Sequence, residues 1–301
     1  MGSGAGLEPL QLIGRGAGHE VERHRRRRHL EVVDLADTEA VPYESGTTLL
    51  RPLQSTDSQL YQLSAVYQLT HAAFPSHRPW IYEGLAHFAQ ALYREQQDGR
   101  KAALDFMDLH RVSLADAEKN LATQTNAGSR DESLLNTANE ELYRSKAMYV
   151  WWMLRDMVGA DSLKQAFAAY HPEQDKEPAY MQHLIETQSK KDLQWFFDDW
   201  VYHDRGLPDF KIDSVYLPPA ANGPQVVTIT IENLGSAGAE VPVTLRMKEA
   251  SLTRRLEVRA KGKATIRMEA ISTPEEVIVN DGSVPETDMR NNSYKIEPLN
   301  H

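Results

Sequence analysis

The 301-residue chain contains no cysteine. Disulfides, thiolate metal sites and a cysteine nucleophile are therefore excluded, while the compartment stays open because many exported proteins also lack cysteine. No apolar run approaches the ~20 residues needed to cross a bilayer, and the first residues carry no apolar signal-peptide core. The reading is a soluble chain without a transmembrane segment, of unknown compartment, with export open if the N-terminus is incomplete. Basic charge is also scarce, 33 Lys and Arg against 43 Asp and Glu, a formal net charge of −10. Such a surface repels phosphate backbones and disfavours nucleic acid as a partner. What is present is a globular composition, 41% hydrophobic and 25% charged. At roughly 100–200 residues per domain, the length allows two.

Residues 1–44 read as a poorly ordered or truncated tail. Met1 to Gly18 is glycine-rich, and Arg25 to Arg28 form a basic run between His24 and His29 with no interleaved aromatics, a solvated segment. Leu30 to Leu35 has the composition of a short strand. From Ser58 to His203 the apolar period is helical, with Pro75 stopping the first helix and Gly99 and Gly159 closing later ones. Trp151, Trp152, Trp195, Phe196, Phe197 and Trp200, at helical spacings, read as core packing. After Gly206-Leu207-Pro208 the period falls to two. Seven short strands between turn residues then predict an immunoglobulin-like β-sandwich over 207–301. Its acidic stretch near Asp281, Glu286 and Asp288 reads as a solvated loop rather than a calcium site.

The chemistry-bearing residues lie between Leu60 and Arg94. Tyr67-Gln68-Leu69-Thr70-His71 ends the first helix, and Trp80-Ile81-Tyr82-Glu83-Gly84-Leu85-Ala86 opens the second, with His87 one turn after Glu83. A zinc hydrolase of the H-E-x-x-H type places two imidazoles four residues apart on one helix face. A glutamate after the first serves as general base, and a later helix supplies a third ligand. Residues 45–206 resemble the thermolysin-like, mainly α-helical catalytic domain of the gluzincin zinc metallopeptidases, on the membrane alanyl aminopeptidase-like branch. Besides those two helices, the likeness is carried by Tyr143-Arg144-Ser145-Lys146-Ala147 with Trp152 to Gly159, and by Asp192 to Val201 leading to Gly206-Leu207-Pro208. The expected architecture is thus multidomain α plus β, a helical peptidase-like domain followed by the sandwich.

The resemblance assigns roles and exposes departures from them. Tyr67 stands at the first zinc ligand and Gln68 at the general base, so only His71 and Glu83 persist from the metal set. A phenol ligates metal only as phenolate, and a glutamine amide has no titratable proton near neutrality. Tyr143 corresponds to the tyrosine that steadies a tetrahedral intermediate, although it lies one residue further from Lys146 than the family pattern puts it. Gly46 to Leu50 corresponds to the edge strand and offers no carboxylate. The resemblance therefore implies a catalytically impaired or inactive metallopeptidase homologue, with zinc weak or absent and a peptide- or protein-binding cleft retained. Two alternatives stay open. One is an active zinc aminopeptidase using His71, Glu83 and His87, the last two being four apart on one helix face; the other is a structural or adhesion module led by the sandwich. Oligomeric state is not legible in the sequence.

Overall fold

The computed structural model describes residues 31–38, 40–45, 48–52, 58–124, 132–218 and 225–296. The glycine-rich start, the basic run at Arg25 to Arg28, Gly46, Thr47, residues 125–131 and the Asn222-Gly223 turn lie outside them. The architecture is mixed α plus β. The chain divides into two compact units, Met1–His110 with Leu134–Gln194, and Arg111–Ser133 with Trp195–His301. Arg111–Ser133 and the residues from Trp195 to Gly206 thus group with the strands. Among the described residues no helix is long and apolar enough to cross a membrane.

The first unit opens with strands β1 (Glu31–Leu35), β2 (Tyr43–Ser45) and β3 (Thr48–Pro52), ordered β1-β3-β2. β3 pairs parallel with β1 and antiparallel with β2. Part of the stretch read as a tail is therefore built into a sheet, and the strand read as an edge is its centre. Helices α1 (Ser58–Ala73) and α2 (Pro79–Asp108) follow, with a break in α2 at Gly99, where φ is +84°. α1 stops one residue short of Phe74-Pro75, since proline cannot donate the next backbone bond. Helix α3 (Arg111–Gln124) belongs to the second unit.

A π-helical turn at Glu141–Lys146 leads into α4 (Ala147–Val158). Gly159, at φ +84°, ends α4 in a backbone conformation that costs a side-chain-bearing residue strain, and its N–H donates to the Arg155 carbonyl at 2.9 Å. Helices α5 (Ala160–Ala169) and α6 (Tyr180–Ser189) complete the unit. Its core is aromatic. Trp80 and Trp151 stack at 4.9 Å, and the Trp151 indole N–H donates to the Trp80 carbonyl at 3.2 Å.

The second unit carries α7 (Gln194–Phe197), a π turn (Asp198–Tyr202) and strands β4 (Phe210–Tyr216), β5 (Gln225–Asn233), β6 (Ala239–Met247), β7 (Ser251–Val258), β8 (Lys263–Ala270), β9 (Pro274–Val279) and β10 (Ser293–Lys295). They form two antiparallel sheets, β10-β9-β6-β7 and β4-β5-β8. Alternate residues are buried, Val227, Ile229 and Ile231 on β5 and Val241, Val243 and Leu245 on β6, as a two-residue side-chain period requires. The expected aromatic core falls in both units: Trp151 and Trp152 in the first, Phe196, Phe197 and Trp200 in the second, all fully buried. Trp195 is half-buried, with the Arg259 guanidinium 4.2 Å from its ring centre.

The acidic stretch after β9 needs correction. Glu286 is fully buried, not solvated. Its carboxylate accepts from the Phe210 backbone N–H at 3.0 Å and from the side-chain amides of Asn280 and Asn292. Burial nonetheless pushes its pKa up from 4.5 to about 7, with Asp209 adding to the rise and the three donors opposing it.

Candidate functional site

Tyr67 and His71, four residues apart on α1, share one face, and their rings approach to 4.2 Å. That face meets the first turn of α2, where Tyr82 stacks on His71 at 3.7 Å with the rings 10° from parallel. Close approach there depends on Gly84. A Cβ at Gly84 would lie 2.6 Å from the Ala147 Cβ and 3.2 Å from the Trp151 ring, so only glycine lets α4 pack beside Glu83. The glycine following Glu83 in the motif is thus a packing requirement of the site's own helix.

Glu83 is the hub. The Tyr67 hydroxyl donates to its Oε2 at 2.6 Å, and Arg144 Nε reaches the same oxygen at 3.2 Å. Its Oε1 stands 4.0 Å from His71 Nε2, beyond hydrogen-bonding distance. Arg144 is steadied from its other side by Glu140, whose carboxylate accepts from Nη1 at 2.7 Å. His71 is buried and pairs through Nδ1 with the Glu44 carboxylate of β2, leaving Nε2 without a hydrogen-bond partner. Burial first, and then the bond to Glu83, push the Tyr67 pKa far above its usual value, so the phenol keeps its proton and acts as a donor. Tyr82 is pushed up to about 12, by burial and by the charges of Glu44 and Glu83.

The remaining sequence-predicted residues sit around this hub. Gln68 is buried; its amide donates to the Leu50 carbonyl of β3 at 3.2 Å, and its Oε1 has no partner. His87 lies edge-on to Tyr67 at 5.5 Å and to His110 at 5.7 Å, with Nδ1 buried and unpartnered. Burial, reinforced by the positive charge of His110, Arg144 and His71, pushes its pKa down to about 3, so the ring is neutral at ordinary pH. Tyr143 and Arg144 both sit in the π turn, which makes i→i+5 bonds and holds one residue more than an α turn.

These residues do not fit a zinc ion. Structural and catalytic zinc sites present at least three protein ligands. Here Tyr67 is a protonated donor, Gln68 is an amide bound to the sheet, and Glu83 has one oxygen already shared by a phenol and a guanidinium. Among the described residues no group of three or more His, Asp or Glu is placed to hold a metal, and His71, Glu83 and His87 do not make one. The alternative metal set read from the sequence is therefore not assembled.

A cleft of about 450 Å³ lies beside the hub, walled by Ser76, His77, Tyr82, Glu83, Thr137 and Tyr143, with Pro79 and Ala138. Glu83 and Tyr143, singled out from the sequence for different roles, thus face one space. Ser76, in that lining, starts a chain of hydrogen bonds. Ser76 Oγ and the Tyr170 hydroxyl are 2.9 Å apart, Tyr170 donates to Asp175 at 2.8 Å, and Asp175 accepts from Arg78 Nε at 2.7 Å.

No family model matches the chain, and no curated protein matches it. Solved structures do. Two structures of M1 zinc metallopeptidase mutants from Deinococcus radiodurans align with it. The first is 18% identical over 69% of this chain and 46% of that chain, TM-score 0.43. The second, bound to a Tyr-Ser-Ala substrate, is 20% identical over 60% and 40%, TM-score 0.39. The CARDB domain of a Pyrococcus furiosus protein, in complex with di-metal ions, aligns at 17% identity over 30% of this chain and 89% of that domain, TM-score 0.26. This chain spans less than half the length of the peptidase chains it matches. At such identities and scores the likeness fixes neither family nor activity.

Sequence reasoning missed three members of the cluster. Arg144 carries a visible signal, the Glu140–Arg144 spacing of four that pairs charges on a helix face. Tyr82 was legible as part of the motif but not as the ring covering His71. Glu44 gives no local signal, because its contact with His71 spans 27 positions and depends on strand β2 pairing with β3.

Proposed function

We propose that this chain is a gluzincin metallopeptidase homologue that has lost its metal and its peptidase chemistry and retains a cleft for a peptide or protein segment. In the same reading, residues 45–206 are the peptidase-like domain and 207–301 an immunoglobulin-like sandwich. The observation that carries it is the 2.6 Å hydrogen bond from Tyr67 to Glu83. The residue standing at the first ligand position is spent on tying down the surviving carboxylate, and Gln68, at the base position, is bonded to the sheet. A hydrolytic step needs an acceptor for the proton of an attacking water, and a glutamine amide provides none near neutrality. The order of the three resembling segments and the cleft shared by Glu83 and Tyr143 support the peptidase ancestry.

The test is restoration. Tyr67→His with Gln68→Glu puts an imidazole and a carboxylate one turn before His71, and the variant is expected to take up zinc that the parent chain does not, measured by equilibrium dialysis with elemental analysis. A folded double variant that takes up no metal either with Arg144 in place or with Arg144→Met would show that α1 does not correspond to a zinc helix. Turnover of amino-acid arylamides by the parent chain would refute the loss of chemistry.

A further inference from the structure

We infer that Arg144 supplies to Glu83, as a side chain, the positive charge that a divalent ion would bring, and that this ion pair weakens the hold of the cluster on divalent cations. The inference rests on the reading just proposed and goes beyond it. Losing two metal-site residues explains weak binding; it does not explain what holds the leftover carboxylate, half-buried, beside a histidine.

The carboxylates find partners without a metal. Glu83 is met by Arg144, and Glu44 is met by His71, so each buried or half-buried carboxylate has a nitrogen partner from another element. Arg144 Nε takes the same oxygen that Tyr67 takes, at 3.2 Å and 2.6 Å, so Oε2 carries two donors before any ion arrives. A second nitrogen of the guanidinium, Nη1, donates to Glu140 at 2.7 Å on the same helical face. Its backbone sits in the π turn that also carries Tyr143. Arginine does not deprotonate in proteins, so this charge persists at any pH the fold survives. A divalent ion reaching Glu83 Oε1 and His71 Nε2, 4.0 Å apart, meets that cation across one half-buried carboxylate, where water screens less than in bulk. Mutation at Tyr67 can bring the donor set back to three, and the repulsion will remain.

The experiment compares zinc affinity, by competition with a chromogenic chelator, in full-length chains that all carry Tyr67→His and Gln68→Glu. One keeps Arg144, one has Arg144→Lys and one has Arg144→Met. The Met chain is expected to bind zinc about tenfold tighter or more than the Arg chain, a gain of the size that neighbouring-charge changes produce at metal sites. The Lys chain should stay near the Arg chain, because it keeps the charge and loses only the fork. Circular dichroism establishes folding, and Arg144→Gln replaces the Met chain if that one does not fold. Equal affinities in all three overturn the inference and leave the metal-loss reading standing. A Lys chain that binds as tightly as the Met chain overturns it too, since charge is then not the cause. Absence of zinc from every chain brings down the helix correspondence itself, and the inference with it.

Discussion

Two carboxylates, one half-buried in the helical unit and one fully buried in the strand unit, are satisfied in opposite ways. Glu83 in the helical unit is held by a guanidinium and a phenol, with an imidazole 4.0 Å away. Glu286 in the strand unit is held by neutral donors alone, one backbone N–H and two asparagine amides, with no cation among its partners. Neutral dipoles compensate desolvation only in part, and the Glu286 pKa rises to about 7. The Glu286 arrangement is what a structural acid looks like. Its three donors tie the loop after β9 to the start of β4. The Glu83 arrangement faces a cleft, and its partners are the residue types that bind or repel ions.

The sharpest way to break this comparison is to delete each carboxylate. Glu286→Ala strands three buried donors and should cost about 4 kcal/mol in denaturant unfolding, since each orphaned group costs about 1–3 kcal/mol. A loss under half of that would mean the donors find water or one another. The pH dependence comes next. With a folded pKa near 7 against 4.5 unfolded, the fold binds a proton the unfolded chain releases, so the Glu286 contribution is fully present below pH 4.5 and is lost as pH rises through 7. Over that window stability should fall by up to about 3 kcal/mol, at 1.36 kcal/mol per pKa unit, and the fall should be absent in Glu286→Gln. A stability that climbs between pH 5 and 8 in both chains would reverse the assignment.

Glu83→Ala should cost less, about 2 kcal/mol, because Arg144 is partly exposed and rehydrates when its partner goes. Smallest is Tyr67→Phe, expected to lose about 1 kcal/mol, the net value of one hydrogen bond, with the ring packing against His71 kept. If instead Tyr67→Phe proves as costly as Glu286→Ala, the phenol is doing more than restraining a carboxylate.

Much of this was legible before any coordinates. The switch from a helical to a two-residue period at Pro208 locates the strands, because burial alternates wherever one sheet face is covered. Gly99 and Gly159 mark a helix break and a helix end through their positive φ. The motif residues Tyr67, His71 and Glu83 do converge, since an i, i+4 pair on α1 must face whatever packs there. The electrostatic content of the site was not legible. Glu44 meets His71 from 27 positions away, and Arg144 arrives from a π turn, a backbone irregularity without a reliable sequence signature. The burial of Glu286 escaped for a related reason. An acidic loop reads as solvated until the asparagines that cap it are seen to fold over it.

The most direct measurement is the zinc content of the unaltered chain after dialysis against excess zinc and then against buffer, by elemental analysis. A cluster whose carboxylates are already paired should retain far less than one zinc per chain and show no change in melting temperature with zinc added. One tightly held zinc per chain, released by His71→Ala, would contradict the account.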